Sequence, residues 1–445
     1  MREQPLPESD AQSSASPAEK SARDKTWWKR LAQHPLLHVG SGLITGVADD
    51  DPSGIATYSQ AGAQFGLNML WTMPLSFPMM GAVQSMCARI GRVTGKGLAA
   101  NIKQAFPPYV LKGVVLMLLF ANTLNIAADI AAMGEAAELV TSINRHIMTV
   151  CFVVMTLAAQ IAVPYHRYVH YLKWLTLSLL AYAAVLFTVH VPWKAVAWRT
   201  LWPHLHLDGT AATVIVGVFG TTISPYLFFW QASEEIEDMH LHADAKPLRL
   251  DPAAGFTELL RIKWDTWGGM FYSNLAAYFI ILATAVTLHV AGITDITTAA
   301  QAASALQPLA GEFAAMVFAL GVLGVGLIGV PVLAGSASYA LCEAMDWRWG
   351  LERSAKDARG FYGVITVSVL AALAIQYSSV PPMKALFWSA VVNGVVAVPL
   401  IVVIVVIASK PSMMGEFTAP RLVRCLGWTS AFVMGVTALY MLVPL

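Results

Sequence analysis

Apolar residues run in long blocks along this chain, and the polar residues between them are few and clustered. Eleven blocks stand out, with approximate limits 37–66, 68–90, 109–134, 147–164, 171–190, 211–238, 266–290, 312–343, 359–379, 383–408 and 424–444. A helix needs about 20 apolar residues to cross the hydrocarbon of a bilayer, and most blocks reach that length. The pattern predicts an all-α polytopic membrane protein with 11 transmembrane helices. The fourth block is short, and the first two meet tightly at Gly66 to Asn68.

Two blocks are broken near their middle. In the first, Asp49, Asp50 and Asp51 run straight into Pro52, Ser53 and Gly54. Proline removes a backbone donor and clashes with the preceding turn, and glycine adds backbone freedom. Residues 37–48 are apolar and 55–66 alone are too short to span, so the aspartates are expected within the membrane. In the sixth block, Gly220, Thr221, Thr222, Ser224 and Pro225 interrupt an apolar run. Backbone groups freed in this way cannot face hydrocarbon and must line the bundle or a watery cavity.

Broken helices at matching places in two halves point to a transporter built from inverted repeats. The breaks lie five spans apart, which predicts a LeuT-like 5+5 inverted repeat plus one helix, with helices 1 and 6 unwound at the midplane. The domain division that follows is a disordered cytoplasmic tail and interfacial lead-in over 1–35 and a transport domain over 36–445. The latter divides into a first repeat (36–205), a second repeat (206–410) and an extra helix (411–445). The two halves show no obvious sequence identity.

Composition agrees with a membrane protein. The 445 residues are 57% hydrophobic and only 12% charged, with a mean hydropathy of +0.59; soluble chains carry about a quarter charged residues. A net charge of +1 gives no reason to expect nucleic acid as a partner. With the N-terminus placed inside, all but five of the 28 lysines and arginines fall on cytoplasmic segments. The five are Lys112, Arg145, Lys194, Arg199 and Lys384. That bias supports a cytoplasmic N-terminus, and eleven spans then leave the C-terminus outside. The expected location is the plasma (inner) membrane.

The first 25 residues are polar and patternless and read as disordered; no apolar region follows Met1 to make a secretory signal. Trp27 and Trp28 beside Lys29 and Arg30 suit an interfacial anchor. Cys87, Cys151, Cys342 and Cys425 are far apart and read as packing residues. No ATP-binding loop or catalytic triad occurs, so an enzyme is not expected. No cofactor is implied, the lipid bilayer is an expected partner, and a single polytopic domain is compatible with a monomer.

A carboxylate at membrane depth marks a functional site by default. Asp51, with carbonyls and hydroxyls freed at the two breaks, is hard-cation chemistry. The run SGLITGVADDDPSGIATYSQAGAQFGLNMLW resembles the first span of the Nramp family of divalent-metal transporters, which carries an Asp-Pro-Gly-Asn motif. ARIGRVTGKGLA at 88–99 resembles that family's loop after the second span. LAGSASYALCEAMDWRW at 333–349 resembles the end of its eighth. The resemblance covers nearly all of the chain after residue 35.

The resemblance implies metal ligands at Asp51 and, in span six, at a backbone carbonyl that falls on Thr221. Several positions depart from the family pattern. Gly54 stands where the family has Asn, Ser224 where it has a Met sulfur, Tyr226 and Gln231 where it has His, and Ala132 where a Glu is usual; Asp129 is kept. A soft thioether favours transition metals, and Mg²⁺ tends to keep waters. With these departures the chain resembles the Nramp-related magnesium branch, and an all-oxygen site enlarged at Gly54 supports that resemblance. In that reading the chain carries Mg²⁺, and Mn²⁺ as well, as a partly hydrated ion by alternating access, without obligatory proton coupling. The alternative is a proton-coupled Mn²⁺/Fe²⁺ transporter of the ordinary Nramp type. A sodium-coupled organic-solute transporter is a further rival, since broken helices occur there too.

The expected metal residues are Asp51, Gly54, Thr221, Ser224 and Asn393, a lone amide in span ten that either completes the ion's shell or binds helices together. Asp49 and Asp50 either line the approach or are helix-end charges. Asn122, Asn125 and Asp129 form a polar stripe on span three. Asn274 and Gln84 read mainly as interhelical glue, and Ser224 and Thr221 could also bond back to their own helix. Glu234, Glu235, Glu237 and Asp238 read best as a solvated helix end, and His204, His206, His240 and His242 as loop residues.

Overall fold

The computed structural model describes residues 45–46, 48–162, 178–204, 208–241, 245–351, 353–375 and 380–442. The expected tail and lead-in over 1–35, Arg167, Lys173, His206, His242 and residues 171–177 of the fifth block lie outside the described residues. The described chain is mostly helical within its apolar blocks. Eleven helices carry the argument: α1 (Pro52–Phe65), α2 (Thr72–Thr94), α3 (Pro108–Thr141), α4 (Arg145–Ala162), α5 (Gly209–Thr222), α6 (Pro225–Leu241), α7 (Gly255–Thr284), α8 (Ala314–Ala344), α9 (Arg359–Ile375), α10 (Pro382–Ser409) and α11 (Arg421–Met441).

Helix starts and stops follow local chemistry. Asp51 caps α1 by accepting the Gly54 N–H, and Pro52 sits in the first turn, where no donor is missed. Asp208 caps α5 through the Ala211 N–H. Gly95, at φ 65°, ends α2 in the left-handed region that glycine enters without a Cβ clash. Thr45, Gly46, Ala48 and Asp49 are helical, Asp50 bends, and Asp51 is extended before α1 begins. The sixth block likewise separates into α5 and α6, with Ile223 and Ser224 between them.

Among the described residues, seven helical stretches are long and apolar enough to cross a bilayer. Their burial sorts them. The α5–α6 stretch is 94% buried over its most apolar window, whereas α4 and α11 are 22% and 28% buried. The outer faces of α4 and α11 show large apolar side chains, such as Val154, Phe432 and Leu439, which hydrocarbon would cover. α3 packs against α4, α8, α9 and α10, and α1 against α5, α7 and α10. The two interrupted stretches therefore lie at the centre, walled by α3, α8 and α10.

Candidate metal site

Three consecutive carboxylates meet at the first interruption, all buried. The Asp51 carboxylate accepts from Ser53 Oγ at 2.6 Å and from the Gly54 N–H at 2.9 Å on one oxygen. Its other oxygen accepts from Asn125 Nδ2 of α3 at 2.8 Å. Asp49 and Asp50 share the hydroxyl of Ser273 from α7, the Asp50 bond being 3.0 Å. One oxygen of each remains without a hydrogen-bond partner. Asp129 is also buried and accepts from Asn125 Nδ2 at 3.3 Å through one oxygen only. Among the described residues no ion pair reaches any of these four carboxylates. Buried charge without a protein partner is costly, and at membrane depth it marks a site for a cation or proton.

Close backbone approaches set the geometry. A Cβ on Gly329 of α8 would stand 3.2 Å from the Asp51 Cβ, so α8 packs closely against the root of the Asp51 side chain. A Cβ on Gly220 would stand 2.7 Å from the Gly394 Cα and overlap the Ala390 carbonyl. This contact brings α10 against α5 one residue from both Thr221 and Asn393. Asn393 Nδ2 then donates to Asn125 Oδ1 at 3.3 Å. The chain Asn393–Asn125–Asp51 is continuous, and Asn393 Oδ1 is a buried atom without a partner.

The second interruption closes on itself. Ser224 Oγ donates to the Gly220 carbonyl at 3.0 Å and to the Thr221 carbonyl at 2.6 Å. The carbonyl expected as a free donor is thus occupied by the residue expected to ligate beside it. The Thr221 hydroxyl instead faces Gly54: a Cβ there would lie 3.2 Å from Thr221 Oγ1 and 3.3 Å from Tyr58 Cε2. The space that an enlarged site at Gly54 requires is taken by these two side chains. Tyr226, read as a lost histidine, donates to the Ala48 carbonyl at 3.1 Å and ties α6 to the first interruption.

All five expected metal residues therefore gather in one place. Sequence reasoning gave Asn125 no special rank within its stripe and passed over Ser273, because neither departs from an ordinary helix pattern. Asn274 donates to Ser76 at 2.9 Å as interhelical glue. The solvated helix end expected at Glu234, Glu235 and Glu237 is corrected, because all three are buried. Glu235 pairs with Arg261 at 2.6 Å, and Glu237 accepts from Tyr339 and from the Leu351 N–H. No group of three or more His, Cys, Asp or Glu side chains among the described residues is placed to hold a metal.

Comparison with known proteins decides the family. Residues 42–444 match the family described as Nramp, natural resistance-associated macrophage protein-like. The chain belongs to the Nramp family. It is 24% identical over 402 residues to the divalent metal cation transporter MntH of Klebsiella pneumoniae subsp. pneumoniae, covering 88% of this chain and 90% of that protein. The manganese transporter of Eremococcus coleocola superposes with a TM-score of 0.72 at 16% identity, over 93% of this chain and 87% of that one. MHP1, a nucleobase-cation-symport-1 family transporter, superposes with a TM-score of 0.55 at 12% identity, over 90% and 92% of the two chains.

This Nramp protein is accordingly an all-α integral membrane protein of a transporter family, not an enzyme. The magnesium branch expected from the sequence is overturned. The curated relatives are divalent metal cation transporters named MntH, and the solved Eremococcus structures are of a manganese transporter. The physical reason lies in the site. Carboxylate, carbonyl and water donors suit Mn²⁺ as well as Mg²⁺, so a missing sulfur at Ser224 does not select magnesium. The roomier cavity expected at Gly54 is filled by Tyr58 and Thr221.

Proposed function

We propose that this Nramp protein carries divalent cations of the Mn²⁺ and Fe²⁺ type across its membrane. The observation that carries the reading is the set of four buried carboxylates, Asp49, Asp50, Asp51 and Asp129, without a cationic partner among the described residues. Asp51 is the primary ligand and Thr221 a neutral oxygen donor, while Asn393 orients the amide of Asn125 beside Asp51. Gly54 and Ser224 shape the site, the first by close approach and the second by holding the carbonyls of the break.

Alternating access is supported by a cavity of about 730 Å³ that runs along one face of α1 and α5, lined by Ala56, Gln60, Gln64 and Thr213 among others. Eleven spans as a 5+5 inverted repeat plus one, helices unwound at the midplane, an inside N-terminus and an outside C-terminus belong to the same proposal. The two central interruptions and the lysine and arginine bias support it. The divisions 36–205, 206–410 and 411–445 are part of that proposal.

The test is uptake by purified protein in liposomes that hold a manganese-sensitive dye and a pH dye, at clamped potential. Saturable Mn²⁺ uptake is expected, and empty liposomes should show none. Uptake indistinguishable from empty liposomes would sink the reading. Acidification in step with Mn²⁺ is the behaviour of the proton-coupled alternative.

A further inference from the structure

We propose that Asn125 of α3 is itself a metal ligand, supplying the amide oxygen that Gly54 cannot supply from α1. The inference rests on the divalent-cation reading above. No group of three or more acidic or histidine side chains among the described residues is placed to hold a metal, so neutral oxygens are needed to complete a shell around Asp51. Gly54 is hemmed in by Thr221 and Tyr58, which leaves no room for an amide from that side.

Asn125 occupies the opposite side. It is fully buried, and its Nδ2 stands 2.8 Å from Asp51 Oδ2. A half-turn about the terminal torsion exchanges amide nitrogen and oxygen with almost no change of shape. The Asn125 oxygen then lies about where the nitrogen is now. Adjacent oxygens around a six-coordinate ion with bonds of roughly 2.1–2.3 Å stand about 3.0–3.3 Å apart. The Asp51–Asn125 separation is within a few tenths of an ångström of that.

The neighbour is prepared for the turn. Asn125 Oδ1 now accepts from Asn393 Nδ2, while Asn393 Oδ1 is buried without a partner. When both amides turn, Asn125 donates to Asn393 Oδ1 and its own oxygen faces the ion. The bond between the two amides persists with its direction reversed. In the ion-free arrangement Asn125 donates to Asp51 and Asp129; with the ion bound, the charge of the cation replaces that donor beside both carboxylates.

The test measures Mn²⁺ and Cd²⁺ half-saturation of uptake in proteoliposomes for the whole chain and three variants. Asn125→Leu should raise the Mn²⁺ half-saturation at least about 10-fold, while Asn125→Asp, which keeps oxygen donors, should stay within about threefold of the parent. Asn125→Met should shift preference toward Cd²⁺ by about 10-fold, because a thioether is a soft ligand; a residue that only packs would not move ion preference. Parental half-saturation in the Leu variant, or unshifted preference in the Met variant, overturns the assignment while the transport reading stands. Absence of Mn²⁺ uptake by the parent protein removes both. If the Leu variant does not elute as folded protein, the Asp and Met variants decide the matter.

Discussion

The two chain interruptions are built from similar residues and end in opposite states. At the first, Asp49 and Asp50 each keep one open carboxylate oxygen, and the three aspartates receive donors from α3 and α7. At the second, Ser224 satisfies the freed carbonyls of Gly220 and Thr221 within its own segment. The first break therefore holds charge in reserve for a cation. The second is closed on itself, and its carbonyls are already paired. A chain break in a membrane helix does not by itself make a ligand; what matters is whether the freed groups are already paired.

The comparison can be broken most severely at Asp51. Asp51→Asn keeps the shape and removes the charge. Loss of groups one layer away from a metal typically costs 10- to 100-fold in affinity or activity, so here Mn²⁺ uptake should fall by at least about 100-fold. Near-parental uptake would place the ion elsewhere. Next in size is Gly220→Val, whose Cβ would overlap the Ala390 carbonyl. Overpacking costs about 1–3 kcal/mol and occasionally more; at a backbone-to-backbone contact the upper end is expected, read as a lowered melting temperature in detergent.

Ser224→Ala sharpens the contrast between the breaks. It leaves two buried carbonyls without their hydroxyl, which should destabilise the protein by about 1–3 kcal/mol. Its Mn²⁺ half-saturation should change far less than that of the Asp51 variant. An effect on half-saturation as large as at Asp51 would mean that the hydroxyl itself holds the ion. Smallest is Gly54→Ala, expected to cost about 1 kcal/mol through its contacts with Thr221 Oγ1 and Tyr58. Combining it with Thr221→Ala should recover part of the loss, a coupling that a double-mutant cycle measures.

Much of the site was legible because proline, glycine and aspartate are rare inside apolar helices, so Asp51–Gly54 and Ser224–Pro225 announce themselves. Asn125 and Ser273 did not. Each sits on a regular helix, and a polar residue there reads equally well as glue or as ligand until its neighbour is known. Glu235 and Glu237 were misread for a related reason. A charge run at a helix end usually meets water, but Arg261, Tyr339 and the Leu351 N–H arrive from distant segments and bury it. The choice of ion was misjudged because ligand softness was weighed without knowing what fills the space beside Gly54.

By itself the sequence determined that this chain lives in a membrane, where its helices lie and where two of them must break. Those properties follow from hydrophobic length and local backbone chemistry, which act over one or two turns. Only the tertiary structure decided which freed groups stay open. That depends on side chains 74 to 268 positions apart in the chain, such as Asn125 on Asp51 and Asn393 on Asn125. Helix packing at Gly220, Gly329 and Gly394 brings the elements that carry them within hydrogen-bond reach.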